Sequence, residues 1–154
     1  MSVSNWNKFK IKFGTQSTSN IELIKYAKML KIKPFKCLMR DEIGSLKNKY
    51  GYFIVNIHTS SQPGVHWSAV YSDRDRVYFF DSYALPPLKE IVDTFNHTDN
   101  RYCGDWHEQI QTFDKSYCGQ LSLYVLYRLK NCKNKTKEDF QNILDGIEED
   151  EAKK

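Results

Sequence analysis

An α+β fold, a central and mainly antiparallel sheet with helices packed against it, is predicted by three features of the sequence. Three apolar, strand-length runs (52–58, 66–71 and 76–81) follow one another through short polar connections, the spacing of an antiparallel meander. Segments with helical periodicity lie before them (19–30) and after them (86–95). A long apolar run at 121–129 has the length of a buried helix.

The 154 residues are 40% hydrophobic and include ten Tyr and nine Phe, enough for one domain with a substantial core. No N-terminal apolar run ends in a cleavage site, and no apolar stretch is long enough to span a bilayer. Neither a secretion signal nor a membrane association is expected, and a monomer is. Cys37, Cys103, Cys118 and Cys132 show no CxxC spacing, which fits free thiols in a reducing compartment and no metal site. The net charge of +4 is uneven: residues 1–60 carry eleven Lys/Arg against three Asp/Glu. Lys25, Lys28, Lys31, Lys33, Lys36 and Arg40 make up much of the excess. Such a patch suits nucleic-acid phosphates or a solvated helix face, and charge alone leaves both open.

In chain order, Phe9, Ile11 and Phe13 alternate with lysines, so residues 1–18 read as a short strand or an arm on the body. Ser19 and Glu22 form a capping box for an amphipathic helix that uses Ile21, Ile24 and Met29 and ends before Pro34. Residues 35–50 read mostly as loop. After the meander, Pro86-Pro87 opens a helix with Leu88, Ile91, Val92 and Phe95 on one face. Residues 96–107 are turn-rich, and 108–113 are a candidate short strand. A helix from Cys118 to about Lys130 follows. Thr136 and Asp139 cap a last helix carrying Phe140, Ile143, Leu144 and Ile147. Residues 148–154 form a charged tail that is expected to fray.

The chemistry centres on Cys118. A cysteine at a helix N-terminus faces unpaired N–H groups and the positive end of the helix dipole, and both favour thiolate. An isolated Cys-Gly before an apolar run is equally the pattern of a buried structural cysteine, so a nucleophile needs a base and an orienter elsewhere. His66 starts one strand and Asp81 ends the next. If the turn occupies 72–75, the two face each other across the hairpin at the open end of the sheet. Gln111 is a candidate oxyanion donor, with Gln109 as the competing choice.

The run Gly64-Val65-His66-Trp67, then Phe80-Asp81-Ser82-Tyr83, Gln111 and Ser116-Tyr117-Cys118-Gly119 resembles the adenain-like cysteine proteases. These are the maturation proteases of adenoviruses and of Polinton- and virophage-type elements, in a clan that includes proteases for SUMO-like modifiers. The resemblance covers roughly residues 19–130. It implies a papain-like cysteine endopeptidase with Cys118 as nucleophile, His66 as base and acid, Asp81 as its partner and Gln111 in the oxyanion hole. Trp67 and Gly119 would border a narrow channel for glycine-containing sites in viral capsid and core precursors. The expected setting is the virion and the interior of the host cell, in the nucleus or a virus factory. The chemistry itself needs no cofactor, but the family uses DNA and an activating peptide. By that resemblance Cys103 is a candidate for the peptide's disulfide, or else a plain free thiol, and the N-terminal lysines with Arg40 are candidates for DNA. Asp81-Ser82 is closer to the SUMO-protease branch, because adenains commonly place Glu there. This leaves a modifier protease as an alternative, beside a catalytically silent DNA- or capsid-binding protein of the same fold.

Overall fold

The computed structural model describes residues 5–61, 66–95 and 116–152, and residues 102–104 by their backbone. Its centre is a five-stranded sheet in the order β1-β2-β3-β4-β5. The strands are β1 (Phe35–Leu38), β2 (Gly51–Asn56), β3 (Trp67–Ser72), β4 (Arg76–Phe80) and β5 (Tyr102–Gly104). The β2–β3–β4 meander is antiparallel as expected, while β1 and β5 join its two sides in parallel. β1 lies in a segment that reads as loop; four residues, none of them fully buried, are too short a run to stand out from periodicity. A 3₁₀ turn, Arg40–Ser45, follows in the same segment.

The strands alternate their side chains between two cores. Tyr52, Ile54, Trp67, Ala69, Tyr71, Tyr78 and Phe80 face helices α1 (Trp6–Phe13), α2 (Asn20–Met29), α4 (Cys118–Lys130) and α5 (Lys137–Ala152). Phe53, Val55, Val70, Val77 and Phe79 face the 3₁₀ turn and α3 (Lys89–Phe95). α4 is buried nearly all round and crosses β3, so its N-terminus is delivered to the end of the sheet where β3 begins.

Several expectations change at the level of faces. Residues 6–13 are a helix, not a strand or arm. Trp6, Phe9 and Phe13 recur at helical spacing and are buried, while Ile11 is 85% exposed; burying three aromatics outweighs a local alternation of lysines. Asn5 caps this helix and Gly14, with φ 82°, ends it. α2 has the expected Ser19–Glu22 capping box, but it buries Leu23 and Ala27, leaving Ile21, Ile24 and Met29 exposed. α3 buries Ile91 and Phe95 and exposes Val92. α5 continues through Ala152 in place of a tail fraying from 148, because Asp150 and Glu151 bind α1. Trp6 N–H donates to Asp150 Oδ2 at 3.0 Å, and Lys10 Nζ lies 2.7 Å from Glu151 Oε2. The candidate strand at 108–113 lies outside the described residues.

Candidate active site

The β3–β4 turn sets the geometry of the site. Asp73 Oδ1 accepts from the N–H groups of Asp75 and Arg76, at 2.8 and 3.0 Å, and Asp73 N–H donates to Arg76 O. The turn is therefore two residues tighter than expected, and the register pairs Ser72 with Val77 and Ala69 with Phe80. A shift of two residues preserves the face of each side chain. Ser68 rather than His66 comes opposite Asp81, and His66 becomes its diagonal neighbour.

The expected contact survives this shift. His66 Nε2 lies 2.7 Å from Asp81 Oδ2, with both residues at most 3% exposed. Ser68 Oγ donates to the same oxygen at 2.6 Å, and Tyr83 N–H donates to Oδ1 at 2.8 Å. Burial pushes the Asp81 carboxyl up, but these hydrogen bonds and the charge of His66 hold it below the usual carboxylate range. Burial pushes the His66 imidazole down; hydrogen bonding and charge from Asp81, and from the Cys118 thiol, outweigh this and raise it to about 9. The ring's other nitrogen, Nδ1, is buried and has no hydrogen-bond partner among the described residues.

Cys118 is the first residue of α4, and the side chain of the N-cap residue, Tyr117, makes no capping hydrogen bond. The first-turn N–H groups and the positive end of the helix dipole thus lie at the end of the helix that carries the sulfur. Trp67 N–H donates to Cys118 Sγ at 3.5 Å. The nucleophile candidate is thus joined to β3 at the residue next to His66. Cys37, by contrast, is held by burial and by the Glu42 charge at about 12, a thiol that stays protonated.

Residues 14–18, between α1 and α2, strap this corner. Trp67 Nε1 donates to Thr18 O at 3.0 Å, Gln120 Nε2 to Gln16 O at 2.7 Å, and Ser116 Oγ to Thr15 O at 3.0 Å. Trp67, 5% exposed, lies beside the thiol. Gly119 has a packing reason of its own: a Cβ there would meet Thr18 Oγ1 at 2.1 Å and Trp67 Cδ1 at 3.2 Å.

Sequence reasoning missed Ser68 and Tyr83. Ser68 shares a strand face with His66, two residues on, and that parity was the available signal. Tyr83 stacks on His66, with ring centroids 4.4 Å apart; it stands in the Phe80-Asp81-Ser82-Tyr83 run without a role, and the turn after β4 that brings it there is held by Asp81. Gln111, its competitor Gln109, and the Gly64-Val65 part of the motif lie outside the described residues. Cys103 falls in β5, where its backbone pairs with Val77; its side chain lies outside the description. Of the basic group, Lys25, Lys28, Lys31, Lys33 and Lys36 are exposed. Arg40 is not part of a free patch, because its Nε is 2.7 Å from Glu90 Oε2 on α3. Among the described residues no helix is long and apolar enough to cross a membrane.

No family model matches the sequence, and no curated protein matches it. Among solved structures, the fold is similar to the crystal structure of the selenomethionine form of the ASFV pS273R protease. The TM-score is 0.55 and the identity 17%, over 88% of this chain and 69% of that one. The chain thus shares the α+β fold of that protease.

Proposed function

We propose that the chain is a cysteine endopeptidase of adenain type that cleaves viral capsid and core precursors at glycine-containing sites during maturation. One observation carries the reading. A buried His66–Asp81 pair stands beside a cysteine that is the first residue of a buried helix. The likeness to a viral protease agrees with it.

In this reading His66 Nδ1, oriented through Nε2 by Asp81, takes the Cys118 proton. The thiolate then adds to the scissile carbonyl carbon, and the carbonyl electrons move to oxygen. The Cys118 N–H and, by the family resemblance, the Gln111 amide hold that oxyanion. Collapse breaks the C–N bond, and the departing amine takes its proton from His66. Water then gives a proton to His66 and attacks the thioester, releasing the acid and the thiol. Trp67 and the 14–18 strap narrow the approach, which suits a residue without a side chain next to the cut bond.

Cleavage of SUMO-like modifiers is the second reading, favoured by the Asp81-Ser82 pair. The deciding experiment digests a peptide library, viral precursors and modifier conjugates with wild type, Cys118→Ala and His66→Gln, with and without DNA. Precursor cleavage that disappears in both variants is expected. Cleavage of conjugates alone selects the second reading, and activity retained by Cys118→Ala removes both.

A further inference from the structure

We propose that the outer edge of β1 docks an extended acidic segment of a partner polypeptide, which joins the sheet as an additional strand. β1 pairs with β2 on one side, and no other described strand lines its second side. A row of backbone N–H and C=O groups there can template a strand.

The surroundings are built for side chains of an added strand. On the α2 side of the sheet lies a groove of about 360 Å³, bounded by Ile24, Lys28, Lys31, Lys33 and Phe35. On the other side lies one of about 420 Å³, bounded by Lys36, Leu38, Leu46 and Lys47. Phe35 packs with the first core and Leu38 and Leu46 with the second, so successive β1 residues serve opposite grooves. An incoming strand would alternate its side chains between them in the same way.

Charge defines the partner. Lys28, Lys31, Lys33, Lys36 and Lys47 rim the edge, and none of them is in an ion pair among the described residues. Glu42 is the one carboxylate lining either groove, and it already accepts from Met39 N–H at 2.7 Å. The apolar complement is on α2, where Ile21 and Ile24 are 74% and 48% exposed. A nucleic-acid duplex would answer the lysines but would use neither the strand edge nor the apolar groove. An acidic strand carrying alternate apolar residues uses all three.

The test is fluorescence anisotropy with a short labelled peptide that alternates Glu and Leu. Its controls are the same peptide N-methylated at alternate amides, and a labelled DNA duplex. The peptide is expected to bind. N-methylation, and the triple variant Lys28→Glu/Lys31→Glu/Lys33→Glu, should each weaken binding by about tenfold or more, with the variant melting at the wild-type temperature. Should the variant melt early, the N-methylated peptide decides alone. Equal binding of the N-methylated peptide, preference for the duplex, or no binding of the Glu-Leu peptide each overturns the proposal.

Discussion

The phenol ring of Tyr83 lies flat on the imidazole of His66, with centroids 4.4 Å apart and planes 13° from parallel. The same residue's N–H donates to Asp81 Oδ1. Tyr83 thus touches both members of the buried pair, by its ring on one side and its backbone on the other. A cation over an aromatic face is stabilised, so the stack favours imidazolium over imidazole.

This relationship separates two substitutions. Tyr83→Phe keeps the ring and the N–H and should leave kcat/KM near wild type. Tyr83→Ala keeps only the N–H and should lower kcat/KM about tenfold, the effect of about 1.4 kcal/mol. It should also move the His66 titration, followed by NMR, to lower pH. Equal rates and equal titrations for the two variants would mean that the stack is incidental.

The His66 shift has a stability consequence with a definite sign. Its folded pKa is raised from 6.5 to about 9, so the folded state binds the proton more tightly than the unfolded chain. That contribution is complete below about 6.5, declines as pH rises, and is gone above about 9. Asp81 is shifted the other way, so its contribution holds above the usual carboxylate pKa and is lost as pH falls through its folded value. Urea unfolding of wild type against His66→Gln should show a difference at about pH 6 that shrinks by on the order of 3 kcal/mol by about pH 9.5. A difference that does not change with pH would contradict the coupled pair.

The His66–Asp81 pairing was legible because a strand's period of two tolerates an even error in register. The turn was misjudged by two residues, and Asp81 still faced His66. The same error hid Ser68, whose place opposite Asp81 depends on the turn that Asp73 closes. The capping box at Ser19–Glu22 was legible because it is local. The α2 face was not: Ile24 and Leu23 are equally apolar, and only the position of β1 and α4 decides which is buried. Nor could the link from Cys118 to the His66 strand be read, since it rests on α4 crossing β3, a contact between residues far apart in the chain. For α1, periodicity offered both answers over the same residues, and tertiary burial of Trp6 chose the helix.

Gly119 tests whether the strap is a fixed wall of the site. Gly119→Ala places its Cβ 2.1 Å from Thr18 Oγ1, 3.2 Å from Trp67 Cδ1 and 3.3 Å from Leu23 Cδ2. Overpacking of this kind costs about 1–3 kcal/mol, and displacing Trp67 would also disturb its N–H contact with Cys118. Thr18 Oγ1 is buried without a hydrogen-bond partner among the described residues, so Thr18→Ala alone should cost little. Combined with Gly119→Ala it should restore part of the lost stability, read as a non-additive urea midpoint in a double-mutant cycle. Strictly additive effects would show that the two residues do not compete for the same space.

The last turn of α5 reaches Tyr117, the residue that precedes Cys118. Glu151 Oε1 accepts from Tyr117 OH at 2.5 Å, and its Oε2 accepts from Trp6 Nε1 at 3.2 Å and Lys10 Nζ at 2.7 Å. With Lys10 and Glu151 side chains each 14% exposed, Glu151→Ala strands a lysine and two neutral donors, a loss of about 1–3 kcal/mol. Tyr117→Phe removes one hydrogen bond and should cost less, about 1 kcal/mol. If the clasp also positions α4, turnover should fall in Glu151→Ala at temperatures where the variant remains folded, and fall less in Tyr117→Phe. Lys10→Met added to Glu151→Ala relieves the unpaired charge and should regain stability while leaving turnover low, because Tyr117 still lacks its acceptor. Recovery of both together would assign the clasp to stability alone.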